Sequence, residues 1–286
     1  PRDPRRMTPR YQPNINLENL PQMAILDNNE IQFTGSYGRM TAYRMRGSDK
    51  IVVRKKGGPT KKQVQTSPRF KHTRLNNKEF IGVVNAAKSI WFTMTVPMLK
   101  LADHNIFPRL TSICKSIQKQ EKINGKGQRG VLLSEHRKLL EGFLLTRKHQ
   151  FSSVVSNPLE SLIDREKKTA VVQLPRLIKG INLVLPWRHP LYRFGCCLGV
   201  AEDVIHDGSA YHKPDRLHMA SERTEWHING ANFLPQTIEL KLDMPEDLQE
   251  TQSLVLTVGI EMGQPDANGE IQTVKYAGSA YILAVR

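Results

Sequence analysis

The chain has 286 residues, 39% of them hydrophobic, and a net charge of +15. That is long enough to bury a substantial core and too apolar for a disordered chain, while no run of 18 apolar residues is present to span a bilayer. The charge is also uneven: residues 1–150 carry a net +19 and residues 151–286 a net −4, so the basic part calls for a polyanion or an acidic protein surface as its partner.

Residues 1–30 contain five of the seventeen prolines and little periodicity, which reads as an extended basic arm. The opening Pro1-Arg-Asp-Pro-Arg-Arg6 has no apolar stretch behind it and is not a secretory signal. Three cysteines, Cys114 and the adjacent Cys196 and Cys197, make no disulfide framework and are expected to be small core residues in a reducing compartment, which places the protein in the cytoplasm.

From residue 31 the pattern turns to strand. Segments 40–46 and 51–56 flank a Gly47-Ser-Asp turn and predict a β-hairpin, with Arg44 and Arg46 on one face and Tyr43 and Met45 on the other. Between Arg39 and Lys78 thirteen basic residues meet one acid, Asp49. Within this stretch Arg39, Arg44, Arg46, Arg54, Lys55, Lys56, Lys61, Lys62, Arg69, Lys71 and Arg74 are the candidate residues for contact with a polyanion or a neighbouring subunit. Asn76 followed by Glu79 reads as a helix N-cap. Phe80, Val83, Val84, Ala87, Ile90, Trp91 and Met94 then form a helical stripe. A second helical stretch is expected over 98–120, interrupted at Pro108, with Ile106, Leu110, Ile113, Cys114 and Ile117 on one face, and a third over 135–145, capped by Ser134.

Beyond residue 150 the expectation is β structure: strands at 170–174, 178–185, 191–205, 223–228, 237–242, 254–262 and 274–285, with turns at Asp207-Gly208 and Ala267-Asn-Gly269. Glu239, Lys241 and Asp243 alternate with Ile238, Leu240 and Leu242, giving a sheet with one wet face. The fold class is therefore α+β. A basic arm (1–30) precedes a basic hairpin with a helical region (31–150), followed by an antiparallel β-sandwich or jelly-roll-like domain (151–286).

The segments Gly58-Pro-Thr-Lys-Lys62, Thr66-Ser-Pro68, Phe70, Thr73-Arg74, Asn76-Asn77 and Glu79-Phe80, preceded by Tyr43-Arg-Met-Arg-Gly47 and Val53-Arg54, resemble an uncharacterised family of Bacteroidota proteins. The motif covers about 40 residues. The resemblance implies a bacterial source and this order of helices and β structure. It implies no site residues, and Ile81 stands where Gly is common in that family.

Signatures of catalysis are missing. The loop Gly57-Gly-Pro-Thr-Lys-Lys62 lacks the Walker spacing, and Gly125-Lys-Gly-Gln-Arg-Gly130 follows a helix instead of a strand. No Gly-x-Ser-x-Gly elbow occurs, and Glu225 and His227 flank Trp226 without a nucleophile nearby. His206, His212, Asp215 and His218 supply nitrogen and oxygen donors within thirteen residues, but at the spacing of no familiar metal site; solvated side chains in a turn are the favoured reading. The sequence thus predicts a non-enzymatic structural protein without cofactor or metal. It is expected to assemble head to tail with itself as filament, tube or shell, the alternative being a sequence-nonspecific binder of DNA or RNA.

Overall fold

A computed structural model describes residues 23–26, 33–94, 96–214 and 218–286. It shows helices together with antiparallel sheets, and it divides the chain into two compact units, residues 1–61 and 62–286. Most of the expected arm lies outside the described residues.

The first unit is a four-stranded antiparallel sheet built from β1 (Met23–Leu26), β2 (Gly35–Tyr37), β3 (Met40–Arg44) and β4 (Ile51–Lys55), in the order β1-β4-β3-β2. The expected hairpin is its centre. Tyr43 pairs with Val52 and Arg44 with Ile51, and Met45 N–H donates to the Lys50 carbonyl at 2.8 Å to close the turn. β1, inside the segment read as an arm, is instead a strand laid along β4. The β2–β3 turn is two residues long, Gly38 and Arg39, and Gly38 takes the positive φ (+53°) that such a tight turn requires.

The second unit has three layers. Its centre is a large sheet of β7 (Leu191–Glu202), β8 (Met219–Arg223), β9 (His227–Ile228), β11 (Gln252–Pro265) and β12 (Ile271–Val285). A small sheet of β5 (Glu160–Asp164), β6 (Thr169–Leu174) and β10 (Gln236–Lys241) shares an apolar cluster with one face of the large one. The other face carries α2 (Lys71–Phe92), α4 (Ile106–Gln118) and short α3 (Val96–Leu99); short α5 (Phe151–Val154) joins the cluster of the small sheet, and short α1 (Lys61–Thr66) buries no residue.

Strand β7 explains this layering from its alternation. Tyr192, Phe194, Cys196 and Leu198 enter the core beneath the small sheet, whereas Cys197 and Ala201 enter the core beneath the helices. Large side chains fill the first side and small ones, with Gly195 and Gly199, occupy the second. A Cβ on Gly199 would lie 2.6 Å from Thr93 Cα, so the bare backbone is what lets the end of α2 sit directly on the strand. The helical stripe Val83, Ala87, Ile90 and Met94 is buried there. The two compact units divide at residue 61, and α2 and α4 share their core with the C-terminal strands.

Several local expectations are altered. Asn76 lies inside α2, which begins at Lys71 after a 3₁₀ turn at Pro68–Phe70, so Glu79 is not part of a capping box. Phe80, assigned to the buried stripe, is exposed. No helix spans 135–145: two 3₁₀ turns (Leu133–Glu135, Arg137–Leu139) lead into an extended stretch that pairs with β12, where Leu145 N–H donates to Ala280 O at 2.8 Å. Residues 178–185 form a loop, because the Ile178 carbonyl accepts the N–H groups of Ile181, Asn182 and Leu183 and closes the turn on itself. The strand expected over 223–228 is broken at Thr224, whose hydroxyl accepts the Phe194 N–H at 3.1 Å. β5 and most of β8 were not predicted. No helix among the described residues is long and apolar enough to cross a membrane.

Candidate contact surface

The expected contact residues fall in both units. Arg39 lies in the β2–β3 turn, Arg44 ends β3, Arg46 lies in the β3–β4 turn, Arg54 and Lys55 are on β4, and Lys56 follows it; all six are exposed. Pairing of Tyr37 with Met40 and of Met40 with Lys55 puts these three on one face of the sheet. Thr41 pairs with Arg54, and Tyr43 follows on that opposite face, where the Arg54 guanidinium stands 5.6 Å over the Tyr43 ring. Each face therefore presents a cation beside an exposed tyrosine. Arg44 makes an exposed ion pair with Asp49 at 3.2 Å, a contact of small energetic weight.

Lys61 and Lys62 begin α1, Arg69 sits in the 3₁₀ turn, and Lys71 and Arg74 are in the first turn of α2. Arg74 differs from the rest. Its Nη1 donates to the carbonyls of Val64 and Ser67, both at 2.8 Å, so it fastens α1 and the turn to α2 and is withdrawn from the contact surface. Arg39, Arg46, Lys55, Lys56, Lys61, Lys62, Arg69 and Lys71 form no ion pair among the described residues.

One densely bonded charged group is not disclosed by local sequence. Glu79 is fully buried on α2. Its Oε1 accepts Arg129 Nε at 2.7 Å and Gly127 N–H at 3.0 Å; its Oε2 accepts Arg129 Nη2 at 2.8 Å and Lys115 Nζ at 3.1 Å. Burial pushes this carboxyl upward, but the Arg129, Gly127 and Lys115 donors outweigh it and hold the pKa at about 2. A carboxylate so acidic and so fully bonded is a poor proton shuttle at neutral pH and a strong structural anchor. It ties α2 to α4 and to the loop 124–130. Gln118 adds to the same joint, donating to Glu79 O at 3.1 Å and Arg129 O at 2.9 Å.

The histidine cluster does not converge. His206 Nδ1 accepts the Gly208 N–H at 3.0 Å and its ring stands edge-on to Tyr211; exposed His212 has Nε2 3.9 Å from Glu202; the His218 carbonyl accepts the Val200 N–H. Asp215 lies outside the described residues. Among the described residues no group of three His, Cys, Asp or Glu is placed to hold a metal ion. The three cysteines are buried and form no disulfide among the described residues; burial pushes Cys114 up to about 12 and Cys196 upward as well, which keeps both in the unreactive protonated form. His227 packs among Tyr192 and Phe233, and burial lowers its pKa. Trp226 lies under Arg193, 4.0 Å away, and Arg193 in turn binds buried Glu261 at 2.6 Å.

Neither a family model, nor a curated protein, nor a solved structure matches the chain. The residues that sequence reasoning missed are Lys115, Gly127 and Arg129, far from Glu79 along the chain, and, in the first unit, the exposed Phe33 and the exposed Met40 that pairs with Tyr37. The positive φ of Gly127 (+103°) hints at a tight loop, but nothing local points that loop at Glu79.

Proposed function

We propose that the protein is a non-enzymatic structural subunit that assembles head to tail with copies of itself. In this reading the first unit contacts the acidic C-terminal part of a neighbouring copy, residues 151–286 with a net charge of −4, or an enclosed polyanion. One observation carries it: the first unit, over residues 33–61, exposes large apolar side chains beside its cations. Among its described residues Ala42, Ile51 and Val52 are buried, while Phe33, Met40, Tyr43 and, at 81%, Tyr37 are exposed. A sheet this small gains stability by covering such side chains with a partner, and Lys55 and Lys56, which form no ion pair among the described residues, favour an acidic one. A heterologous contact of this kind closes into a ring or runs on as a filament. We read the two sheets of the second unit as a sandwich backed by the helices, and buried cysteines without a disulfide fit a reducing compartment such as the cytoplasm.

Light scattering on the purified full chain tests this reading. Wild type is expected as large particles, and Lys55→Glu, Lys56→Glu, Lys61→Glu and Lys62→Glu together, or Tyr37→Ser with Met40→Ser, should reduce them to small species. A monomeric wild type, or unchanged particle mass in both variants, removes the reading.

A second reading, sequence-nonspecific binding of DNA or RNA, is favoured by Arg54 over Tyr43: a stacking surface next to a cation suits single strands. Affinity for random single-stranded DNA should then fall steeply with salt, with a log–log slope near −0.7 per phosphate contact. No binding at low salt removes it.

A further inference from the structure

The loops at the Leu191 end of β7 carry a basic surface within the acidic C-terminal half of the chain. Residues 175–190 and 228–236 contain no Asp or Glu and expose Arg176, Lys179 and Arg188, within a half of the chain whose net charge is −4. Glu160 and Glu225 lie just beyond them. The two loops are fastened to each other. Leu177 and Phe233 exchange backbone hydrogen bonds at 2.9 Å, Lys179 N–H donates to Asn232 Oδ1 at 3.1 Å, and the Asn229 amide donates to the carbonyls of Trp187 and His189. On this frame Ile181, Ile228 and Leu234 are 72%, 68% and 66% exposed. Aliphatic side chains that project from a preformed backbone between cations mark a contact surface.

We propose that this pole docks on an anionic phospholipid surface. Ile181, Ile228 and Leu234 enter the interface, while Arg176, Lys179 and Arg188 meet headgroup phosphates. Charge and shape select lipid over a second copy. The same pole of another copy would oppose like charges. The other end of β7 offers a groove lined by Glu202, Asp203 and Glu246 that suits cations, but Ile205 is its one aliphatic lining residue, so the projecting side chains would stay uncovered. A phospholipid interface satisfies both groups at once, with phosphates above and acyl chains below.

Vesicle flotation of the full chain tests the proposal. The basic first unit can adhere to anionic vesicles by charge alone, so the test uses a Lys55→Glu, Lys56→Glu background. In it the protein should float with phosphatidylcholine vesicles containing phosphatidylglycerol and not with phosphatidylcholine alone. Adding Ile181→Asp with Ile228→Asp, or Lys179→Glu with Arg188→Glu, should cut the bound fraction about tenfold with an unchanged circular dichroism spectrum. No flotation in the background, or undiminished flotation of the aspartate variant, overturns it. A fall in particle mass of the aspartate variant without lipid, with flotation unchanged, overturns it in favour of a second copy.

Discussion

Glu79 shows how one side chain can organise a layer. Its four donors come from α4 and from the loop 124–130, so neutralising it loosens three segments together. Its pKa of about 2, against an ordinary 4.5, corresponds to about 3 kcal/mol of stability. That contribution is fully present above pH 4.5 and is lost as the pH falls from there towards 2, because protonation then costs the folded state its ion pairs. Glu79→Gln is therefore expected to lose about 3 kcal/mol at pH 7 and to depend less on acid than wild type. Urea unfolding of both proteins at neutral and acid pH measures this. A midpoint unchanged by the substitution at pH 7 would show that the joint is held by packing alone. The sequence placed Glu79 at a cap, since Asn76 and Glu79 have capping-box spacing; its true partners are fixed by tertiary contact and leave no local trace.

At the scale of elements, what was legible is what periodicity determines. β6, β10, β11 and β12 were found from alternation, and α4 from its stripe of Ile106, Leu110, Cys114 and Ile117, all buried. What was not legible is where an element stops because another backbone takes its hydrogen bonds. The 135–145 segment has helical composition, yet β12 captures its N–H groups, and Ser134 donates to Asp203 instead of capping a helix. β7 was found, but not the reason for its small residues, which is the helix layer pressed onto it. Gly199→Ala should accordingly cost about 2 kcal/mol, since the new Cβ would meet Thr93 Cα at 2.6 Å and Thr93 O at 2.9 Å, both backbone. Gly125→Ala, with nothing within 4 Å, is the control and should change stability by less than about 0.5 kcal/mol. Equal unfolding midpoints for the two variants would mean that α2 shifts away from the strand without cost.

For the whole molecule, the division at residue 61 separates a unit that holds two apolar clusters from one that contributes to neither. The charge asymmetry visible in the sequence runs across this division, because the basic stretch from Arg39 to Lys78 begins in the thin sheet and continues into α1 and α2. The residues proposed for contact lie on both sides of this division, while both apolar clusters lie in the second unit, so the contribution of the first unit to assembly can be tested apart from the fold of the second. A chain of residues 62–286 keeps both clusters and the Glu79 joint, so it should unfold cooperatively within about 5 °C of the full protein. Exposed Lys55, Lys56, Lys61 and Lys62 should be the first sites cut by trypsin, yielding a stable product close to this fragment. If the fragment remains folded but runs as a small species where the full chain forms particles, the first unit is the assembling element. If it melts far earlier, the thin sheet contributes to the fold of the second unit, and its exposed tyrosines are explained by stability before contact.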